Sequence, residues 1–253
     1  SNLSVFDKLV APYLKERGRK VAYFMVDALR YELGHDLFRR LSQEMPVEIS
    51  ASCAPLPSIT PVGMAALVPG AQYHLSLRLV GTELRPLIKG TPVSSVKERM
   101  SFFEAYGDRF AHRSLAEFYA DPSLPAGIEL LVLRSTDIDS TLESATELNL
   151  AQLPRTLKQI RQALAKLKEQ GFAAAIIAAD HGFLLNFGAD AGDVCAKPSG
   201  NWPFNAHDRM LLGNGEGGAA NLVLPASSLG IKSDTIARVA TPRSLAPYSS
   251  GRL

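Results

Sequence analysis

The stretch AAIIAADHGFLL, residues 174–185, decides how this chain is to be read. Its opening run of small and branched apolar residues suits a strand buried on both faces, as in a parallel sheet. The run stops abruptly at Asp180, His181 and Gly182. Successive side chains of a strand point to opposite faces, so an adjacent carboxylate and imidazole cannot both follow its packing pattern. Functional side chains do belong at such a place, because ligands of open α/β sheets collect outside the carboxyl ends of the strands.

Working outward, LPRTLKQIRQALAKLKEQG precedes that strand directly. Leu153, Leu157, Ile160, Leu164 and Leu167 recur at alternating spacings of four and three, and Gly171 stands where a helix C-terminal cap belongs. Residues 20–26 read as another strand, followed by a helix over 29–41 with Leu29, Leu33, Leu37 and Leu41 on one face. A further strand is expected over VEISASCA (47–54). After it comes a turn opening a short helix at about Thr60, with Pro61 in its first turn. Ser4 and Asp7 are spaced as a capping box for an opening helix over 4–15, which Pro12 bends or ends.

Residues 76–127 carry many Arg and Lys residues, punctuated by Pro86, Gly90, Pro92 and Pro122, and read as an irregular inserted cap. The core resumes with a strand over 128–134, and RMLLG, NLVLP and IARVAT are later short strands. GNGEGG (213–218) satisfies a dinucleotide-binding spacing literally. It leads into a strand and not a helix, so a hairpin loop is the expectation. The alternation of strand and helix predicts a three-layer α/β/α fold with a largely parallel central sheet. The expected units are a helical lead-in over 1–19 and one domain over 20–253.

Composition narrows the function classes. The net charge of +2 is too balanced to argue for nucleic acid by itself. Cys53 and Cys195 make no disulfide framework and fit a reducing cytoplasm. No apolar run approaches the ~20 residues of a membrane span, and no signal peptide is visible. The chain begins Ser-Asn and ends YSSGRL, so it reads as a piece of a longer protein, and Ser1-Asn2 could be a tag remnant.

Three strands finish in acids: Asp27 after VAYFMV, Asp137 and Asp139 after IELLVLR, and Asp180 after AAIIAA. Carboxylates gathered on one sheet edge repel one another unless a cation neutralises them, so a divalent metal site is the economical reading. Taken singly, Asp27 would be a helix N-cap and Asp137 and Asp139 a solvated loop. The joint occurrence with Asp180-His181 favours the metal.

The combination of VDALRYEL, LPSITPVGMAAL, IDSTLE and ADHGF resembles the alkaline phosphatase superfamily, and within it the PglZ domain family. The resemblance runs from about residue 20 to the end and is weakest over 76–127. It implies that Asp27, Thr60, Asp180 and His181 share one metal, and that Asp139 and Glu143 serve a second. Two divalent ions are thus implied, zinc first. Glu143 stands where better-known members have His, which favours harder Mn²⁺ or Mg²⁺ somewhat. The family's late HGG histidine has no counterpart before Leu253. His207 and Arg209 are assigned instead to the substrate side.

The implied activity is phosphomonoester or phosphodiester hydrolysis with Thr60 as nucleophile, made reactive at a metal. A nucleotide or nucleic acid is an admissible substrate, because basic and aromatic residues mix over 78–113. Solvated charge on a cap explains that mixture equally. The alternative is a metal-holding module that works through protein partners in a phage-defence or signalling system. A sulfatase is disfavoured because Pro57 replaces the Arg of that signature, and no serine-hydrolase elbow is present.

Overall fold

The computed structural model describes residues 1–135, 153–183 and 194–249. In chain order its strands are β1 (Val21–Val26), β2 (Leu75–Val80), β3 (Glu83–Ile88), β4 (Thr91–Pro92), β5 (Phe110–Ser114), β6 (Leu130–Ser135), β7 (Ala174–Ala179), β8 (Phe204–Ala206), β9 (Met210–Gly213), β10 (Asn221–Pro225) and β11 (Arg238–Pro242). The α-helices are α1 (Tyr31–Leu41), α2 (Thr60–Ala66), α3 (Ala71–His74), α4 (Val96–Ser101), α5 (Leu115–Ala120) and α6 (Leu153–Glu169).

β1 is buried at every position, as a strand covered on both faces must be. It lies between β6 and β7 in an all-parallel sheet of order β5-β6-β1-β7. Alternation divides its side chains between two cores. Val21, Tyr23 and Met25 pack with Phe6, Val10 and Leu14 of the N-terminal turns, Met64 and Leu67 at α2, and Met100 of α4. Ala22, Phe24 and Val26 pack with Leu37 and Leu41 of α1, Phe118 of α5, and Leu157, Ile160 and Leu164 of α6. Helical elements therefore cover both faces, which is the three-layer α/β/α arrangement expected. Each large apolar side chain so buried contributes about 1.5–3 kcal/mol of transfer free energy.

α2 touches two cores at once. Its Met64 and Ala65 face the central sheet, whereas Val62 and the preceding Ile59 pack with Leu77, Leu84, Leu212 and Val239. Those residues belong to the β2-β3-β4 sheet and to a second four-stranded sheet of order β10-β11-β9-β8, whose pairings are antiparallel. The late strands thus form their own sheet.

Four local expectations are corrected. Residues 4–15 do not make one α-helix: they form a π-helical turn (Phe6–Val10) and a 3₁₀ turn (Ala11–Lys15). Pro12 has no N–H to return to Lys8, so regular α-helix cannot continue there. Ser4 makes no capping box, since its hydroxyl donates to the Ser1 carbonyl. Residues 47–54 join no ladder, although Val47 and Ile49 are half-buried and alternate with exposed Glu48 and Ser50.

Residues 76–127 are regular, not irregular. They hold the β2-β3 hairpin, α4, α5 and the sheet strand β5, so the central sheet resumes at Phe110 and not at 128. Ser95 and Glu98 form a capping box at α4, and Ser114 and Glu117 form another at α5. Residues 213–218 are no hairpin loop, because β11 lies between β9 and β10. The glycines serve packing instead: a Cβ on Gly215 would lie 2.2 Å from Trp202 Nε1.

Candidate metal centre

The carboxyl ends of β1 and β7 lie side by side, because the register pairs Val26 with Ala179. The next residues, Asp27 and Asp180, are therefore neighbours, and both are buried, at 2% and 0% exposure. Backbone geometry locks the pair. Ala28 turns into the left-handed region (φ 54°), and its N–H donates to Asp180 Oδ1 at 3.0 Å. His181 N–H donates to the same oxygen at 2.7 Å. An alanine in that region costs about 1–2 kcal/mol, so the strand-end hydrogen bonds hold a strained turn. Asp27 does not cap α1, whose N-cap is Arg30.

Thr60 is the first residue of α2, and Ile59 is its N-cap. Its hydroxyl is therefore available to other partners. Oγ1 lies 3.2 Å from Asp27 Oδ1, to which it donates, and 3.0 Å from His181 Nε2. The other imidazole nitrogen, Nδ1, is 2.8 Å from the Gly182 carbonyl. A carbonyl only accepts, so Nδ1 carries a proton, and Nε2 is the ring atom that faces Thr60 and the carboxylates. Nε2 is 3.5 Å from Asp27 Oδ1 and 3.4 Å from Asp180 Oδ2.

Asp180 Oδ2 is shielded from solvent and has no hydrogen-bond partner among the described residues. Burial pushes the Asp180 carboxyl above its usual range; His181 and the N–H groups of Ala28 and His181 pull it back only in part. A fully buried carboxylate oxygen without a donor is costly. A cation would satisfy it. One ligand atom each from Asp27, Asp180 and His181 lies within 4.8 Å of the others, so the donor set fits a metal ion.

Three supporting residues escaped the sequence reading. Gly63 lets α2 approach β7: a Cβ there would lie 2.8 Å from both the Cβ and the carbonyl oxygen of Asp180. Tyr23 donates its hydroxyl to the Leu67 carbonyl at 2.9 Å, pinning the end of α2 over β1. Asn2, read from sequence as a tag remnant, is buried. Its amide donates to the carbonyls of Ala179 (2.7 Å) and Asp180 (3.0 Å), and its Oδ1 accepts from Ser52. Asn2 thus ties the end of β7 to the segment that leads to Thr60.

Asp137, Asp139 and Glu143 lie outside the described residues. His207 is exposed on the β8–β9 turn, where its φ is 47°. The Arg209 guanidinium donates to the carbonyls of Ala246 (2.6 Å) and Ser244 (3.1 Å). Among the described residues, neither shares a hydrogen bond with Asp180 or His181.

An all-parallel sheet carrying a threonine hydroxyl, two buried carboxylates and an imidazole at one edge agrees with the comparison by family. The model described as the BREX system PglZ alkaline phosphatase-like domain matches residues 5–245. The chain belongs to the PglZ family. Among curated proteins none matches it. The PglZ match spans the strand ends of β1 and β7, α2 and the second sheet, so the whole candidate centre lies within it. Among the described residues of this PglZ domain, no helix is long and apolar enough to cross a membrane.

Proposed function

We propose that this PglZ domain is a metal-dependent phosphohydrolase in which Thr60 is the nucleophile. The observation that carries the reading is the orphaned, buried Asp180 Oδ2 facing Asp27 and His181, with the Thr60 hydroxyl between them. Asp27, Asp180 and His181 would hold one divalent cation; Asp139 and Glu143 are the candidates for a second. Zinc suits the imidazole and manganese the oxygen-rich set. When bound, such a cation lowers the pKa of a neighbouring hydroxyl and offsets charge on a phosphoryl oxygen.

The chain's own groups divide the remaining work. Asp27 Oδ1, already accepting the Thr60 hydrogen bond, is placed to take its proton. Thr60 Oγ1 then attacks phosphorus in line; the new O–P bond forms as the ester O–P bond breaks, and the leaving oxygen takes a proton from water and departs as the alcohol. The hydroxide so formed releases phosphate from Thr60, whose oxygen regains the proton held by Asp27. The His181 ring is held in orientation by its Nδ1 bond to Gly182. His207 and Arg209 remain candidate substrate-side residues. The family description names the BREX system, so we place the chain's protein partners, and the expected role in phage defence within the cytoplasm, in that setting.

The test is hydrolysis of nitrophenyl phosphate and of a bis-nitrophenyl diester with Zn²⁺ or Mn²⁺. Thr60→Ala should lower kcat by at least about 10²-fold, the scale of a lost activated nucleophile. Thr60→Ser should retain measurable turnover. An undiminished rate in Thr60→Ala would dismiss the nucleophile assignment.

A further inference from the structure

Among the described residues β7 ends the main sheet, with β1 on one side and no paired strand on the other. Residues 47–54 face that open edge without joining it. Ile176, Ile177, Ala178 and Ala179 on one side, and Val47 and Ile49 on the other, line a cavity of about 310 Å³. No ladder therefore braces the outer side of β7 where it delivers Asp180 and His181. Asn2, which borders the same cavity, supplies a brace at that end.

The Asn2 amide donates to two successive carbonyls, Ala179 at 2.7 Å and Asp180 at 3.0 Å. In an extended strand neighbouring carbonyls point opposite ways, so one amide reaches both only because the chain bends at Asp180. The Asp180–His181 peptide is thereby held at both of its polar ends. Asn2 takes its carbonyl, and Asp180 Oδ1 accepts its N–H at 2.7 Å. The same carbonyl oxygen packs against α2 at Gly63, where a Cβ would come within 2.8 Å of it. This peptide sets the direction in which the His181 ring leaves the chain, with Nε2 3.0 Å from Thr60 Oγ1. On its other side Asn2 is anchored to the segment leading to Thr60: Oδ1 accepts from the Ser52 hydroxyl, and its backbone N–H donates to the Cys53 carbonyl at 3.2 Å.

Asparagine suits this place by its chemistry. A short amide offers two N–H donors and one acceptor oxygen, and all three are engaged here. Aspartate, equal in size, has no donor when ionised and would set its charge against two carbonyl oxygens. Groups that orient metal ligands from behind govern affinity, because ligands held in place lose less freedom when the ion arrives. We propose that Asn2 is a positioning residue of the metal centre: by fixing the Asp180–His181 peptide against Ser52 and Cys53, it presents carboxylate and imidazole to one cation. This rests on the metal centre of the hydrolase reading and adds to it a group from the N-terminal turn.

Calorimetric titration of Mn²⁺ into the folded chain, well below its melting temperature, tests the role without turnover. Asn2→Ala and Asn2→Asp should each weaken Mn²⁺ binding by about tenfold or more, the scale for losing a group behind a metal ligand. The visible absorption of bound Co²⁺, which reports ligand geometry, should shift in both. A residue that only stabilises the fold would lower the melting temperature in chelator and leave Mn²⁺ affinity and the Co²⁺ spectrum as in the parent. That result overturns the proposal. Ser52→Ala removes an exposed hydroxyl and keeps the test alive if the Asn2 variants unfold. It frees the Asn2 amide to turn, so it should weaken Mn²⁺ binding to a smaller degree, and parental affinity there would equally overturn the proposal. The two readings fail separately. Weakened Mn²⁺ binding in Asn2 variants of a chain that hydrolyses no phosphoester refutes the hydrolase and keeps Asn2 in its role. Parental Mn²⁺ affinity in the Asn2 variants of an active chain does the reverse, and a parent that binds neither ion removes both.

Discussion

At the scale of single residues, Asp180 sets the electrostatic terms. Its folded-state pKa is raised, chiefly by burial. As pH climbs from below the ordinary carboxylate range, the unfolded chain loses its proton first, so folding stability falls through the window between the ordinary and raised values. Above that window the cost is constant. Asp180→Asn does not titrate, and its amide oxygen can still accept from Ala28 and His181. Without metal this variant should therefore match the parent in acid and be more stable near neutrality, by thermal melts across pH. In saturating Mn²⁺ the order should reverse. A variant less stable than the parent in chelator at neutral pH would mean that Asp180 is neutral or already compensated. Sequence named this residue because an acid beside an imidazole at a strand end is conspicuous. It could not name Ala28 or Asn2, whose partners lie far off in the chain.

At the scale of elements, α2 has to sit against the end of β7 for Thr60 to meet His181. Gly63 makes that contact, and the atoms opposing a Cβ are Asp180's own Cβ and backbone, which cannot swing aside. Gly63→Ala should destabilise the fold by about 1–3 kcal/mol, as overpacking does, despite alanine's better helix propensity. Mn²⁺ affinity should fall with it. Equilibrium denaturation with and without Mn²⁺ reads both quantities, and an alanine variant of parental stability and affinity would remove Gly63 from the site. The strong periodicities of β1, α1 and α6 made those elements legible. The capping boxes Ser95–Glu98 and Ser114–Glu117 were equally legible as S-x-x-E, but Arg, Lys and Pro in the surrounding stretch masked them. Residues 47–54 have the alternation of a strand and lack its ladder, which no local pattern reports.

For the molecule as a whole, the centre joins β1, α2 and β7, three elements from separate parts of the chain. A cation that binds only their folded arrangement stabilises everything at once. At a hundredfold excess over Kd the gain is about 2.7 kcal/mol, so Tm should rise with Mn²⁺ or Zn²⁺ and return on chelation. The double variant Asp27→Asn, Asp180→Asn should show a smaller rise. An equal rise in that variant would locate the cation elsewhere.

The sequence by itself determined the alternation of strand and helix, the parallel core and the identity of the strand-end acids. Hydrophobic periodicity and residue chemistry are local quantities, and a single chain displays them in full. Tertiary structure alone decided that β5 belongs to the main sheet, that the late strands pair apart from it, and that Gly63 and Asn2 support the centre. Those facts depend on register and close approach between distant segments, and steric contact across more than a hundred residues leaves no trace in local spacing.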